Sequence, residues 1–234
     1  MSSLMKRAPG RIVLVVSALA LVTLVAGGIY LYGGARAPQR AVSAPTLPPA
    51  TNAATITFTI DPSASAATFT INEVHFGQPT VVVGKTTHVA GQLQINKNDP
   101  TQTKIGQITV DLSTLATDSS QRDDETQSHI LETGSSGNQF ATFTTTSISG
   151  LPAAFTAGQA VPLQITGTLK LHGVTRTETF DATVAGVSAA LITGEAHVTV
   201  KYSDFGITIP RLPFSVASVE PTVALAIQFT ARAK

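Results

Sequence analysis

The 234-residue sequence contains no cysteine and no tryptophan, and only 12% of its residues are charged. Without cysteine the chain can form no disulfide, thiolate nucleophile, zinc–thiolate site or cysteine-linked lipid anchor. The low charge, together with abundant Val and Thr, is typical of a globular and rather apolar domain, not of a disordered chain. A chain of this length can accommodate a single all-β domain.

The formal net charge of +1 is unevenly distributed along the chain. The first 52 residues contain five basic and no acidic residues, whereas the remainder contains ten basic and fourteen acidic residues and is mildly acidic. The basic residues of this second part are scattered singly, which is not the pattern of a nucleic-acid-binding surface. We therefore expect no nucleic-acid partner.

Motifs of common catalytic and metal-binding sites are also missing. Asp204-Phe205-Gly206 matches the magnesium-binding triplet of protein kinases, but neither a glycine-rich loop nor an H-R-D segment accompanies it. The five histidines show no H-x-x-x-H spacing, and there is no G-x-S-x-G. The acidic run Asp123-Asp124-Glu125 is more typical of a first helical turn than of a cation site. We therefore predict no enzyme and no metal site.

A long uncharged stretch runs from Ile12 to Tyr32. As a helix it would span about 31 Å, close to the hydrocarbon thickness of a bilayer. Three basic residues precede it, so the positive-inside rule predicts residues 1–11 as a cytoplasmic tail and 12–32 as a transmembrane anchor. The alternative is a secretory signal cleaved within 12–37, near Ala35-Arg36-Ala37, which would release the domain. Either way, the domain is expected to be periplasmic or extracellular.

Residues 33–53 are rich in Ala and Pro and show no hydrophobic periodicity. Because prolines favour an extended chain, we expect a linker that gives the domain reach from the membrane surface. The folded domain is expected over 54–234.

From residue 54 onwards, apolar residues recur with a period of two, as in strands that are buried on one face. The longest run extends from Val161 to Leu171, and about eight or nine such strands are expected in all. Glycines at inward positions (Gly91, Gly167 and Gly194) favour a sheet that curls. The pattern therefore predicts an all-β fold, an antiparallel barrel of about eight strands whose interior is filled by side chains or holds one small ligand.

One short helix is expected between strands, within 119–131. Ser119 or Ser120 could cap its first turn, which the acidic run would complement electrostatically. Ile130 and Leu131 are expected to face the domain.

Six segments of the predicted domain occur in this order: SASAATFTI (63–71), VAG (89–91), TLATDSSQRD (114–123), FATFTTTS (140–147), GTLKLHGVT (167–175) and SDFGI (203–207). Together they resemble segments of the YceI-like family of secreted or periplasmic lipocalin-like domains that hold polyisoprenoid lipids. In this family the Asp204-Phe205-Gly206 triplet corresponds to the end of a barrel strand, with Gly206 allowing the turn. The chain departs from the family pattern at Gln139-Phe140, where a Tyr-Pro or Phe-Pro pair is usual.

The resemblance implies an extended lipocalin-like barrel whose apolar bore surrounds a polyprenyl or quinone tail. It implies no cofactor other than such a lipid. Possible head-group contacts at the mouth are His129, His172 and Arg122. Inward side chains expected to line the bore are Phe58, Ile60, Phe69, Ile71, Leu93, Leu169, Leu171, Val198, Val200 and Phe229.

The predicted function is thus that of a bacterial, membrane-tethered, extracytoplasmic lipid-binding protein without catalytic activity. A packed core is nevertheless the default for inward side chains in any β domain. The alternative is therefore a surface-displayed interaction domain that has a filled core and binds no lipid. The oligomeric state is not predicted from the sequence.

Overall fold

A computed structural model describes residues 41–156, 158–209 and 216–234, without the side chains of 185–187, 216 and 217. The expected tail, anchor and first part of the linker lie outside these ranges. Within them, no helix combines the length and apolarity needed to cross a membrane.

The described part of the chain is a single antiparallel sheet with one short α-helix. The strands are β1 (Thr55–Ile60), β2 (Ala66–His75), β3 (Gln78–Thr86), β4 (Val89–Ala90), β5 (Gln92–Asn96), β6 (Lys104–Ile105), β7 (Ile108–Asp111), β8 (Phe140–Ser149), β9 (Val161–Leu171), β10 (Val174–Val187), β11 (Leu191–Lys201), β12 (Val216–Val219) and β13 (Thr222–Ala233).

The pairing order shows that the sheet is strongly curled. Its main path is β4-β7-β8-β9-β10-β11-β13-β1-β5-β6, while β2 pairs with β13, β12 and β3. Only Gly91 separates β4 from β5, and the N–H of Ile60 in β1 donates to the Gly91 carbonyl at 3.0 Å. One stretch of chain therefore contributes β4 at one end of the path and β5 near the other. The all-β class and the antiparallel curled sheet predicted from the alternation are confirmed.

The predicted helix forms as α1 (Ser120–Glu125), followed by a π-helical turn (Thr126–Ile130). The N–H of Arg122 donates to Ser119 Oγ at 3.4 Å, so the expected cap is confirmed. Ile130 and Leu131 pack against the core, also as expected.

Buried side chains form two clusters along the interior of the sheet. The first includes Phe58, Leu93 and Ile192. The second lies beside α1 and includes Leu171 and Phe205. Because each strand is apolar on one face, curling the sheet buries all of these faces in a common interior.

Asp204 and Phe205 lie in a 3₁₀ turn (Tyr202–Phe205) directly after β11, and Gly206 caps the end of this turn. Phe205 is fully buried, and Gly206 has φ 70°, the left-handed conformation that glycine adopts without steric cost. The triplet therefore ends a strand, as the family resemblance implied.

Three phenylalanine rings lie over glycines on the inner wall. A Cβ at Gly84 would lie 2.0 Å from the ring of Phe69, and one at Gly194 would lie 2.9 Å from Cζ of Phe229. Gly167 lies in the same way beneath Phe143. The inward glycines thus admit large neighbours, as predicted, and leave room for these rings against the wall.

The described part of the expected linker lies against the sheet, and we call residues 41–50 the strap. The N–H of Leu47 donates to Gln92 Oε1 at 2.9 Å, and Gln94 Nε2 donates to the Pro48 carbonyl at 2.7 Å. Gln92 and Gln94 are buried, although they alternate with the inward residues of β5. Residues 47 and 48 contact residues 92 and 94 in the same order along the chain, so the strap runs in the same direction as β5.

Candidate functional site

The interior of the sheet contains an apolar cavity of about 180 Å³, which we call the inner chamber. Its wall includes Ile60, Leu93, Ile165 and Phe229, and among the described residues only Thr68 and Thr142 on this wall are polar. Such a lining offers almost nothing to hydrogen-bond with and therefore suits a hydrocarbon group.

A second cavity of about 560 Å³, the outer chamber, lies beneath α1. Its floor is apolar, with Ile71, Val82 and Ile207 among the lining residues. Unlike the inner chamber, it also has polar side chains on its wall: Glu73, His75, Ser119, Gln121, Arg122, Glu125, Thr126 and Tyr202.

The two chambers share part of their walls. Phe69, Leu112, Leu115, Leu171 and Leu225 line both, and we call these five residues the neck. The cavities therefore adjoin, with an apolar end inside the sheet and a partly polar end at α1.

Seven of the ten residues expected to line a bore lie on a chamber wall. Phe69 and Leu171 belong to the neck, and Ile71 lines the outer chamber. The other four, Ile60, Leu93, Leu169 and Phe229, line the inner chamber.

The other three expected lining residues lie elsewhere in the interior. Phe58 is only 1% exposed and packs in the first core cluster, opposite Leu93 of β5. Val198 and Val200 pack in the second cluster beside the 3₁₀ turn. All three belong to the core clusters, but none of them lies on the wall of either chamber.

Of the three expected mouth residues, Arg122 lines the outer chamber. Its guanidinium lies 3.6 Å from Glu73 and also pairs with Asp118. The carboxylates of Glu73 and Asp118 thus hold this guanidinium in place.

The two histidines lie off both chamber walls. His129 is 69% exposed and lies 3.1 Å from Glu125. His172 occupies the β9–β10 turn, where its Nδ1 donates to the Phe205 carbonyl at 3.3 Å. Both therefore contact other parts of the protein near the helix and the strand ends.

Several chamber residues were visible in the sequence only as members of an inward face. Ile108, Val110, Phe143, Ile165, Phe180 and Leu225 all alternate correctly, yet periodicity did not rank them above the core residues. Glu73, His75 and Phe76 of the outer chamber carried no comparable signal, because they lie at the end of β2 and in the turn after it, where the alternation is weak.

The charged groups with altered pKa values lie outside the chamber walls. Burial raises the pKa of Glu178, and the nearby negative charge of Asp204 raises it further. The hydrogen bond from Arg232, at 2.7 Å, lowers the pKa of Asp61.

The acidic run contributes to the structure of the loop before α1. The N–H and hydroxyl of Thr117 donate to Asp123 Oδ1 at 2.6 and 2.7 Å. No group of three or more potential ligands that could hold a metal ion is found in 41–156, 158–209 and 216–234.

A curled antiparallel sheet around an apolar chamber, with one short helix over a second chamber, defines a lipocalin-like domain. A model of the YceI-like domain matches residues 58–231. The chain therefore belongs to the YceI-like family, as its motifs indicated.

Solved structures share the fold. A polyisoprenoid-binding domain from Saccharophagus degradans, implicated in plant cell wall breakdown, is 17% identical with a TM-score of 0.59, covering 76% of this chain and 99% of its own. BcnA from Burkholderia cenocepacia is 20% identical with a TM-score of 0.57, covering 73% and 98%. The YceI protein of Campylobacter jejuni is 18% identical with a TM-score of 0.53, covering 64% and 84%. No curated protein matches the sequence.

Proposed function

We propose that the domain binds a polyisoprenoid or similar long apolar lipid and acts as a carrier or store without catalysis. The hydrocarbon end would occupy the inner chamber, and the polar end would lie in the outer chamber. The observation that carries this proposal is the pair of adjoining chambers joined by an apolar neck. Family membership and the structural likeness to a polyisoprenoid-binding domain support it.

The combined volume of the two chambers is suitable for one ligand molecule. Small-molecule sites usually enclose about 300–1,000 Å³, and the two chambers together fall in this range. Each buried methylene contributes about 0.8 kcal/mol, so one isoprene unit contributes up to about 4 kcal/mol. A few such units suffice for tight binding without specific polar contacts.

The distribution of polar groups supports one orientation of the ligand. Charged side chains of the described walls lie only around the outer chamber, at Glu73, Arg122 and Glu125. Placing a polar head in the inner chamber would leave it without hydrogen-bond partners, which is energetically unfavourable. Arg122 is the first candidate for a head-group contact because it already lies on the wall.

The pairing order further supports a closed, extended barrel. Gly91 joins β4 directly to β5. β4 pairs with β7 at one end of the strand order, whereas β5 pairs with β1 near the other end. In a closed barrel, the neck would connect the inner chamber to the outer chamber. The two chambers also favour a lipid-binding interior over the alternative of a filled core.

We also propose that residues 12–32 anchor the protein, with 1–11 in the cytoplasm and the domain outside. The apolar stretch and the basic residues before it support this topology. Protease added to spheroplasts, which lack the outer barrier of the cell, should digest the domain and spare the N-terminal tail. Recovery of the whole domain from the cytosolic fraction would overturn this topology.

Filling the inner chamber tests the binding proposal. Ala196 lies on the chamber wall, so Ala196→Phe should abolish or strongly weaken binding of cis-parinaric acid, a fluorescent polyunsaturated fatty acid. Overpacking costs roughly 1–3 kcal/mol, so thermal unfolding must show that the variant remains folded. Ala224→Phe is the matched control, because Ala224 lies on the exposed face of β13. Equal binding by both folded variants would contradict an interior site.

A further inference from the structure

The hairpin between β2 and β3 carries an unusual amount of exposed apolar surface. Residues 74–84, which we call the hairpin tip, contain no charged side chain. Phe76 at its apex is 72% exposed, and Val81 and Val83 on the outer face of β3 are 64% and 48% exposed. Exposed apolar patches of this kind mark interaction sites in soluble domains.

The apex holds its phenylalanine in an unfavourable backbone conformation. Phe76 has φ 47° and Gly77 has φ 76°, as in a two-residue hairpin turn with two left-handed positions. The first position favours Asn or Gly, and a bulky residue there costs roughly 1–2 kcal/mol. Local strain of this kind is characteristic of functional positions, here one that presents an aromatic ring to its surroundings.

The exposed apex is continuous with the outer chamber. Phe76 also lines that chamber, together with His75 and Val82 from the same hairpin. The rings of His75 and Phe76 are 4.5 Å apart. An apolar surface that covered the apex would therefore extend directly to the entrance of the chamber.

A lipid bilayer fits this surface better than a second copy of the chain. In the described residues, β3 pairs with β2 and touches Ala116 only at Lys85, which leaves much of its outer edge unpaired. Pro79 removes a hydrogen-bond donor from that edge, as in natural strands protected from edge-to-edge association. The hydrated outer part of a bilayer can hydrogen-bond the remaining unpaired backbone groups of that edge, while the exposed apolar side chains of the tip reach the boundary of the acyl chains.

Chain length keeps the domain near a bilayer if residues 12–32 are its anchor. The strap already lies against β5, so only residues 33–40 separate it from the anchor. Eight residues extend at most about 28 Å. The start of the strap would therefore stay within about 28 Å of the end of the anchor.

We propose that the hairpin tip inserts into the outer part of a bilayer and brings the outer chamber into contact with its lipids. A ligand then passes between bilayer and chamber without crossing water. This role in loading rests on the proposed lipid-binding function, whereas insertion itself does not. Because the tip lacks charge, insertion depends on apolar burial and not on anionic lipid.

The absence of native tryptophan allows a direct test. Full-length Val81→Trp is reconstituted in phosphatidylcholine vesicles with brominated acyl chains, which quench tryptophan within the bilayer. Val81 faces away from both chambers, so lipid inside the domain does not reach the reporter. Ser149→Trp, at the exposed end of β8 near the first core cluster, is the matched control on the same anchored chain.

We expect the single tryptophan of the Val81→Trp variant to lose emission and shift to the blue in these vesicles, with little change between low and high salt. The tryptophan of the Ser149→Trp control should remain unquenched. Equal emission from the Val81→Trp variant in brominated and unbrominated vesicles would overturn insertion, and so would a blue shift that depends only on protein concentration.

A second variant separates insertion from lipid binding. Val81→Thr combined with Val83→Thr preserves β-branched side chains while making the outer face polar. Binding of cis-parinaric acid in detergent should equal that of the parent chain, whereas transfer of the same probe from phosphatidylcholine vesicles should slow. Unchanged transfer would contradict the loading role. If the parent chain itself bound no cis-parinaric acid, the proposed function would be contradicted. The conclusion on membrane insertion from tryptophan quenching would not be affected.

Discussion

At the residue scale, Glu178 shows how the Asp204-Phe205-Gly206 triplet acts in this fold. Glu178 is on β10, opposite Gly167 of β9, and the triplet follows β11 nearby. Burial of Glu178 raises its pKa, and the Asp204 carboxylate adds a smaller effect in the same direction. The aspartate of the triplet, Asp204, therefore helps to raise the pKa of the Glu178 carboxyl group.

This arrangement predicts a stability that depends on pH. The raised pKa means that folded Glu178 retains its proton above the ordinary value of 4.5, while the unfolded chain has released it. Stability therefore falls as pH rises through this window and stays lower above it. Glu178→Gln removes the loss, so the variant should be more stable at neutral pH, by no more than about 1 kcal/mol because the site is partly solvated.

Thermal unfolding of both proteins across acidic and neutral pH measures the effect. The gain should vanish at low pH, where the native glutamate is protonated in both states. Glu195→Gln, at an exposed position on β11, is the control for a general change in surface charge. A gain for Glu178→Gln that is the same at every pH would contradict the electrostatic explanation.

At the scale of elements, glycine–phenylalanine pairs shape the chamber walls. Gly84 on β3 is directly opposite Phe69 on β2, and Phe69 is part of the neck. Without a Cβ at residue 84, the ring can lie close to the strand. The width of the neck is thus set by a glycine on the neighbouring strand.

Gly84→Ala should narrow the neck. The new Cβ would lie 2.0 Å from the Phe69 ring, so the ring must move, at a cost of roughly 1–3 kcal/mol. We expect weaker binding of cis-parinaric acid, measured by fluorescence titration. Adding Phe69→Leu to the same chain should restore part of the binding, because it removes the ring. If the double variant binds no better than Gly84→Ala, the neck does not control access.

The alternating pattern predicted most strands but missed β3. Its Val81-Val82-Val83 segment is apolar on both faces, so a period of two is hidden. The outward valines that obscure the strand in the sequence are the same residues that form the hairpin tip. A functional exposed face thus removes the signal by which a one-sided strand is recognised.

The strap was likewise beyond sequence reasoning. Gln92 and Gln94 alternate with inward residues, so they read as solvent-facing positions on β5. They are buried because Leu47 and Pro48, some 45 residues earlier, hydrogen-bond to them. Nothing in the local pattern of either segment identifies the other as its partner.

At the scale of the whole molecule, the sequence predicted the inward face but not the position of the chambers. Phe58 and Phe229 both face inward on strands of the same sheet. Phe58 is opposite Leu93 and packs into the core, whereas Phe229 is opposite Gly194 and lies against the chamber wall. Whether an inward ring fills the interior or borders a cavity depends on the volumes of residues far apart in sequence. Periodicity carries no information about those volumes.

The family motifs supplied what periodicity could not. They indicated the lipocalin-like fold and a lipid-sized interior, and the match over residues 58–231 confirms the family. At identities of 17–20%, the solved relatives define the fold alone. The ligand proposed for this chain therefore depends on its own two chambers and on direct measurement.

Native mass spectrometry of the full-length protein purified in a mild detergent tests the central claim most directly. We predict a mass increment equal to one lipid per domain, which Ala196→Phe loses and Ala224→Phe retains. Recovery of the parent chain at its bare mass, with no uptake of polyprenyl lipid added in excess, would contradict the account.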